Sequence, residues 1–247
     1  MLKHIALMFT TVCTFMVASQ CKAATLEEIL KVSWNKQSLP ELKKLIPDQK
    51  AARQFAFDVR MKEPHTEPDD MYRLDIDADV TEYEFVDLKG DDSLQFVCLL
   101  DITGRMRPTI LMTVENDHGH PKTAYLTGGE GGLGLGHLSA IIRDINHSGR
   151  HEIVLSLALG PFGGVVAPTP YMEHFYIYQN GKLVPSDHEF LDYYKNEALP
   201  KRRQELDELM QHPPASDASP EDRTFYQKSI DAKKKEISAL SKLVSQR

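Results

Sequence analysis

Cysteine is scarce in this sequence, and together with other absences this narrows the class of protein. The 247 residues include three cysteines and one tryptophan, and the formal net charge is -7. So few cysteines exclude a disulfide-dense scaffold. A chain with an excess of acidic residues also lacks the broad basic surface that binds nucleic acid or anionic lipid. We therefore expect a globular protein with no nucleic-acid partner.

Motifs for known chemistries are also missing. The sequence has no Gly-x-Ser-x-Gly elbow, no Gly-Lys-Ser/Thr phosphate loop and no His-Glu-x-x-His zinc motif. The segment from Gly129 to Gly134 has the letters of a dinucleotide fingerprint, but the turn at Asp144 follows too soon for the long helix of that motif. Ten histidines occur without metal-ligand spacing. The sequence thus predicts no catalytic residues.

The first residues have the three parts of a secretory signal peptide. Lys3 precedes an uncharged apolar run from Ile5 to Ala18, and the stretch from Ser19 to Ala24 that follows ends in small residues. The run is shorter than the roughly 20 residues of a membrane span. We expect cleavage after Ala23, a secreted or periplasmic protein, and no integral membrane span in the mature chain. Acylation at Cys21 is the alternative, although Gln20 stands where a small residue is preferred.

Processing would change both the charge and the cysteine content. Loss of residues 1–23 removes Lys3 and Lys22 but no acid, which takes the formal charge from -7 to -9. Only Cys98 would remain, within the apolar stretch from Phe96 to Leu100. A mature monomer then has no intramolecular disulfide. Cys98 is interpreted as a small buried hydrophobe, with a thiol nucleophile or an intermolecular bridge as alternatives.

The pattern of apolar residues divides the chain into four segments. After the signal peptide (1–23), residues 24–66 show helical periodicity, with Thr25 and Glu28 forming a capping box, and end in a proline-rich acidic linker. Residues 67–187 alternate as β-strands and are predicted to form an antiparallel domain. Residues 188–247 return to helical periodicity, and Ser219 is the expected N-cap of the last helix of a helical hairpin.

Two types of turn signal support the β prediction. Asn180-Gly181 directly follows a strand-like segment and favours a type I′ hairpin turn. The segment from Asn116 to His120 is hairpin-like as well. We therefore predict an α+β fold, in which an antiparallel sheet of repeat-like hairpins forms a curved sheet or sandwich flanked by N-terminal and C-terminal helices.

The most informative feature is an internal near-repeat. The segment from Asp87 to Val97 aligns without a gap on the segment from Asp144 to Val154, at an offset of 57 residues. Both segments place oxygen-bearing side chains at relative positions one, five and nine and continue into an apolar strand. Ligands from alternate residues and a glycine at position six are typical of a loop that wraps a hard cation.

On these residues the chain resembles the FG-GAP and VCBS-type repeats of integrin-like β-propellers and secreted bacterial proteins. The resemblance covers about residues 87–195 and implies a calcium loop in the second copy. Its ligands would be Asp144, Asn146, Ser148, Glu152 and the backbone carbonyl of Arg150. The first copy departs from the pattern because Lys89 stands at a ligand position. Two repeats cannot close a propeller, which takes at least four blades.

Two function classes follow from the sequence. The first is an exported, non-catalytic binding protein that recognises a protein or glycan surface, with one weak calcium loop. The second is an exported hydrolase or small-ligand binder that uses acids and histidines near the glycine-rich loops 128–136 and 160–170. Candidate pairs for that second class are Asp117 with His118 and Glu130 with His137. Neither the partner nor the oligomeric state is predicted.

Overall fold

The structure, a computed structural model, describes residues 24–62, 78–102, 109–127, 136–160 and 168–246. The predicted signal peptide, most of the predicted linker and most of both glycine-rich loops lie outside the described residues. The helices are α1 (Leu26–Lys31), α2 (Leu39–Leu45), α3 (Gln49–Lys62), α4 (Leu138–Ile141), α5 (Leu191–Tyr193), α6 (Leu199–Gln211) and α7 (Pro220–Val244). The strands are β1 (Ala78–Val86), β2 (Gln95–Ile102), β3 (Thr109–Asp117), β4 (His120–Thr127), β5 (Ile142–Arg143), β6 (Glu152–Ala158), β7 (Tyr171–Gln179) and β8 (Lys182–Pro185).

The strands form two separate four-stranded sheets. Sheet 1 has the order β1-β2-β3-β4 and sheet 2 the order β5-β6-β7-β8, and every pair is antiparallel. Each sheet is therefore a meander in which strands that follow one another in the chain are neighbours. Each also ends in a two-residue turn with two left-handed residues, His118-Gly119 in sheet 1 and Asn180-Gly181 in sheet 2. The type I′ turn predicted at Asn180-Gly181 is confirmed.

The two sheets share an apolar core. Side chains of β2 such as Val97 and Leu99 pack in one cluster with Ile153 and Leu155 of β6. The neighbouring positions of β2, including Cys98, belong to a different cluster on the opposite face. Because successive side chains of a strand point to opposite faces, β2 is apolar on both faces and reads as a continuous hydrophobic run.

The N-terminal helices cover the outer face of sheet 1. Trp34 contacts Phe85 of β1 edge to face at 5.5 Å, and Phe55 of α3 contacts Phe96 of β2 at 4.9 Å. The indole N–H of Trp34 donates to the Ile29 carbonyl at 3.1 Å, so its polar atom is satisfied in the core. These helices, which begin at the predicted Thr25 capping box, form a packed layer on the sheet.

The C-terminal helices cover the outer face of sheet 2. Phe175 of β7 stacks on Phe190 at 4.4 Å and contacts Tyr194 at 5.3 Å, and Leu240 of α7 belongs to the same cluster. Ser219 caps α7 as predicted, because its hydroxyl accepts the N–H of Asp222 at 3.1 Å. The molecule thus has four layers in the order helices, sheet, sheet, helices.

The predicted fold class is confirmed in its main features. The architecture is α+β, both sheets are antiparallel and open, and helices lie at both ends of the described chain. Met210 near the end of α6 is exposed, so the apolar stripe of that helix is not fully buried. The second half of α7 packs on sheet 2 through Leu240, in a cluster that also contains Leu199 of α6. Among the described residues, no helix is long and apolar enough to cross a membrane.

Candidate functional site

The loop predicted to bind calcium connects β5 to β6 and is held by its own hydrogen bonds. The carboxylate of Asp144 accepts the backbone N–H groups of Ser148 at 2.9 Å and Gly149 at 3.0 Å. The Asn146 side-chain oxygen accepts the Ser148 N–H at 3.2 Å, and the Ser148 hydroxyl accepts the Arg150 N–H at 3.3 Å. Short polar side chains that bind nearby backbone in this way define an Asx-type turn.

Glu152, the last predicted ligand, lies in the core. Its side chain is 0% exposed, one carboxylate oxygen accepts the Ile145 N–H at 3.1 Å, and the other accepts Arg150 Nε at 3.2 Å. Burial raises the pKa of Glu152, although the hydrogen bonds from Ile145 and Arg150 oppose the rise. Both carboxylate oxygens are therefore engaged within the protein.

The donor set fits a divalent cation only in part. With Glu152 engaged by Ile145 and Arg150, the predicted ligands left are the side-chain oxygens of Asp144, Asn146 and Ser148 and the Arg150 carbonyl. Asp144 makes no ion pair with any described residue, so its charge is available. Among the residues that the structure describes, no group of three or more His, Cys, Asp or Glu side chains converges to hold a metal. Calcium binding at this loop stays a prediction.

The first copy of the near-repeat, between β1 and β2, has the same architecture. The carboxylate of Asp87 accepts the N–H groups of Gly90 at 2.6 Å and Asp92 at 3.1 Å. The side-chain oxygen of Gln95 accepts the Leu88 N–H at 2.8 Å. Glu152 makes the corresponding bond to Ile145 in the second copy. The two loops thus use the same pair of side chains, at relative positions one and nine, to hold the backbone.

The backbone conformations of the two loops also correspond. At the fourth position Gly90 has φ 75° and His147 has φ 54°, and at the sixth position Asp92 has φ 65° and Gly149 has φ 84°. The left-handed region is uncommon for residues other than glycine, so its recurrence at two matched positions is specific. The loops also touch each other, because the His151 N–H donates to the Asp87 carbonyl at 3.0 Å.

A cleft of about 510 Å³ lies between the C-terminal helices and the start of β7. One wall is apolar and includes Leu209 of α6 and Phe225 of α7. Phe225 is 51% exposed, so much of its ring is open to solvent at this wall. Tyr226 fixes the geometry of this wall, because its hydroxyl donates to the Leu209 carbonyl at 3.1 Å.

The opposite side of the cleft carries four charged groups that pair with one another. Lys233 Nζ lies 2.9 Å from both Glu205 and Glu236, and Arg202 contacts Glu205 at 2.7 Å and Glu236 at 3.2 Å. Glu236 is buried, and its other oxygen accepts the Tyr171 N–H at 2.9 Å. Burial would raise the pKa of Glu205, but hydrogen bonds from Lys233 and Arg202 lower it below its ordinary value. The network joins α6, α7 and β7 at the cleft.

A histidine–carboxylate pair that the sequence did not indicate lies on β7. Nδ1 of His174 is 2.7 Å from Asp187, whose second oxygen accepts the Phe175 N–H at 2.7 Å and the Tyr194 hydroxyl at 2.8 Å. Burial would raise the pKa of Asp187, but these hydrogen bonds lower it below its ordinary value. The bond with His174 has the largest lowering effect. Asp187 follows the end of β8, and no spacing motif connects it with His174. Sequence reasoning had no signal for this pair.

Of the two acid–histidine pairs that the sequence predicted, the structure describes both members of only one. His118 is 98% exposed at a hairpin turn and its Nε2 lies 4.0 Å from Asp117, whose other oxygen pairs with Lys122 at 2.6 Å. His137 contacts Glu82 of β1, while Glu130 lies outside the described residues. The Leu138 N–H donates to the same Glu82 carboxylate at 2.8 Å, so Glu82 positions the segment that follows the first glycine-rich loop.

Cys98 is fully buried in β2, facing the N-terminal helices. Burial raises the pKa of its thiol to about 12. A thiol with so high a pKa is almost entirely protonated at neutral pH and is a poor nucleophile. The interpretation of Cys98 as a small buried hydrophobe agrees with this environment.

Comparison with known proteins assigns no relative to this chain. No protein-family model matches it, and neither the curated proteins nor the solved structures give a significant match. The geometry of the loops and of the cleft is therefore what a functional proposal has to rest on.

Proposed function

We propose that this protein is an exported, non-catalytic binding protein that recognises a partner protein at the cleft between α6 and α7. The observation that carries the proposal is Phe225, a large aromatic side chain left 51% exposed at an apolar wall of the cleft. Aromatic anchors surrounded by paired polar groups are typical of protein-recognition surfaces. An apolar side chain of the partner would pack on Phe225 and Leu209.

The charged side of the cleft suits recognition better than catalysis. The four charged side chains form ion pairs with one another, so they are held in fixed positions before a partner arrives. They are Arg202, Glu205, Lys233 and Glu236. Binding to such a preorganised surface loses little side-chain entropy. A general base, in contrast, would need a carboxylate that is free to accept a proton.

The repeat resemblance is part of the same proposal. Blades of β-propellers are four-stranded antiparallel sheets, and here two four-stranded meanders share matched loops and matched type I′ turns. We propose that the sheets are two copies of an FG-GAP/VCBS-type unit, with helical layers covering the two outer faces. The correspondence at Asp87 and Asp144 supports this origin.

Export is proposed from the N-terminal sequence alone. Expression of the full chain in a bacterial host, followed by cell fractionation and N-terminal sequencing, tests it. We expect a periplasmic product that begins at Ala24, because Cys21 and Ala23 present small residues at the two recognition positions. A cytoplasmic product that retains Met1 would contradict the proposal.

The recognition proposal can be tested with a displayed library of random linear peptides selected on the purified protein. Affinities of the selected peptides are then measured by calorimetry for the wild type and for Phe225→Ser. We expect the variant to weaken binding at least tenfold, equivalent to about 1.4 kcal/mol, because an anchor contact is lost. Phe57→Ser is the matched control, since Phe57 is an exposed phenylalanine of α3, on the N-terminal layer.

Two outcomes of this experiment would count against a protein partner at the cleft. One is that no peptide binds, and the other is that Phe225→Ser and Phe57→Ser weaken binding equally. A parallel glycan array with the same variants tests whether the ligand is a carbohydrate instead of a protein. Binding of a glycan that depends on Phe225, without peptide binding, would replace the protein partner by a carbohydrate.

Weak calcium binding at the second loop belongs to the proposal as a separate element. Loops of this type with few charged ligands bind calcium at about 10⁻⁴ to 10⁻³ M. Calorimetric titration should show binding in this range that Asp144→Ala abolishes. Equal heats for the wild type and Asp144→Ala, or no heat at millimolar calcium, would contradict calcium binding at this loop.

A hydrolase or small-ligand binder remains the second candidate, favoured by the contact of His137 with Glu82 beside the first glycine-rich loop. Hydrolysis of a panel of p-nitrophenyl esters and glycosides tests it. Turnover by the wild type that His137→Ala lowers at least tenfold would support this candidate. Turnover that His137→Ala leaves unchanged, or none at all, would count against it.

A further inference from the structure

The first loop of the near-repeat is closed by a residue from a different layer. The Leu94 N–H donates to the Trp34 carbonyl at 2.9 Å, and the Lys36 N–H donates to the Asp92 carbonyl at 3.1 Å. Asn35 also forms an isolated bridge with Ser93. The segment after α1 therefore runs along the loop and is bonded to it through the backbone of Trp34 and of Lys36 itself.

The side chain of Lys36 enters the oxygen-rich part of this loop. Its ammonium lies 2.7 Å from Asp92 Oδ1 and 3.0 Å from Asp87 Oδ2. The carboxylate of Asp87 is only 1% exposed, so this charge is separated from bulk water. Hydrogen bonds to Asp92 and Asp87 raise the pKa of Lys36, which keeps the ammonium charged. A positive charge thus sits against the carboxylate that organises the loop.

The second loop provides an internal comparison. Asp144 holds the backbone there as Asp87 does in the first loop, but no described cation contacts it. At the position of Asp92 the second loop has Gly149, and among the described residues no lysine or arginine takes the place of Lys36 there. The residue that the sequence placed at a ligand position of the first loop, Lys89, turns away and pairs with Glu115 of β3.

We propose that the ammonium of Lys36 is the built-in cation of the first loop, taking the place that a divalent metal ion would otherwise fill. The first copy is then locked by the N-terminal helical layer and needs no metal. Removing the ammonium leaves Asp87 and Asp92 side by side without a counter-charge. The loop then either loses stability or recruits a divalent cation from solution.

The test compares Lys36→Met with Lys44→Met in the Asp144→Ala background. Asp144→Ala removes the one charged ligand of the second loop that Arg150 does not neutralise, so a remaining calcium effect is assigned to the first loop. Lys44 is an exposed lysine of α2 with no described ion pair, which makes it a matched control. Thermal unfolding is followed by circular dichroism, once with EDTA and once with about 5 mM calcium chloride, a concentration above the affinities typical of extracellular loops.

We expect Lys36→Met to lower the midpoint in EDTA by about 3–6 °C relative to Lys44→Met, because an uncompensated buried carboxylate is left behind. Calcium should restore at least half of this loss and should shift Lys44→Met by less than about 1 °C. Equal midpoints for the two variants in EDTA would overturn the proposal. So would a loss that calcium does not repair.

A milder variant covers the case in which Lys36→Met does not fold in EDTA. Asp92→Asn leaves the contact of Lys36 with Asp87 in place and removes only one of its two carboxylate partners. We expect a midpoint between those of Lys44→Met and Lys36→Met, and a smaller response to calcium. Recovery of folded Lys36→Met only in calcium supports the proposal, whereas Asp92→Asn that behaves like Lys44→Met contradicts it.

Discussion

Glu152 shows how the near-repeat tolerates different chemistry at one position. Its carboxylate accepts the Ile145 N–H, and Gln95 accepts the Leu88 N–H in the same way in the other copy. An amide oxygen and a carboxylate oxygen therefore have the same structural role, which is to accept a hydrogen bond from a backbone N–H. The extra charge of Glu152 is balanced by Arg150.

Glu152→Gln should change the free energy of unfolding at pH 7 by less than about 1 kcal/mol, whereas Glu152→Ala should lower it by about 2–3 kcal/mol. The alanine variant leaves the Ile145 N–H without its partner. Urea denaturation of both variants measures the difference. Similar losses for glutamine and alanine would show that the charge, and not the hydrogen bond, is what matters.

The same variant has a pH signature. Burial raises the pKa of Glu152 above its ordinary 4.5, so the folded protein binds a proton more tightly than the unfolded chain. Its contribution to stability therefore falls as pH rises from 4.5 through the folded pKa. Over that interval the stability of Glu152→Gln should fall less than that of the wild type. Parallel curves would contradict this assignment.

The pKa of Asp187 is shifted in the opposite direction, so its effect on stability depends on pH in the opposite way. Its pKa lies below the ordinary 3.8, so its favourable contribution is present above that pH and is lost as pH falls through the folded pKa. Asp187→Asn should therefore show a shallower loss of thermal midpoint below pH 4 than the wild type. Asp207→Asn, at an exposed position of α6, is the control and should follow the wild-type curve.

At the scale of elements, helix ends and tight turns are set by nearby residues. Two helix caps and one tight turn lie where the sequence predicted them: the capping box at Thr25, the cap at Ser219 and the turn at Asn180-Gly181. Their hydrogen bonds and dihedral angles depend on residues within four positions of each other, so a local pattern is sufficient. The short elements α4 and β5 were not predicted, since four and two residues carry no periodicity.

Ser219→Ala should lower the free energy of unfolding by about 1 kcal/mol, because the Asp222 N–H at the start of α7 loses its acceptor. Ser238→Ala is the matched control, as an exposed position in the body of the same helix. Alanine favours helix there, so this control should be neutral or slightly stabilising. Chemical denaturation of the two variants side by side provides the measurement.

At the scale of the whole molecule, three apolar clusters connect four layers. Trp34 is the only tryptophan, so its fluorescence reports on the packing of the N-terminal layer. Most helical residues lie in α3, α6 and α7, so circular dichroism at 222 nm reports mainly on these three helices. β2 contributes side chains to two of the clusters, and β7 contributes to the cluster beneath α7. Loss of either sheet would therefore expose the inter-sheet core and the core beneath that sheet's own helical layer.

Urea unfolding followed by Trp34 fluorescence and by circular dichroism at 222 nm should give coincident transitions. Coincidence is expected because the N-terminal layer and the C-terminal helices are joined through a shared inter-sheet core. Phe96→Ala, which removes a fully buried ring, should shift both transitions together by about 3–5 kcal/mol. A fluorescence transition that precedes the dichroism transition would show that the N-terminal layer unfolds on its own.

The amino-acid pattern was enough to predict the α+β class, most of the strands, the helix caps, the hairpin turns and the relation between the two loops around Asp87 and Asp144. Those features depend on periodicity and on hydrogen bonds between near neighbours. Tertiary structure alone decided that Lys36 enters the first loop, that His174 meets Asp187, and that four charges and Phe225 form one cleft. Each of these contacts joins residues brought together by the packing of layers, and no local pattern encodes the distance between them.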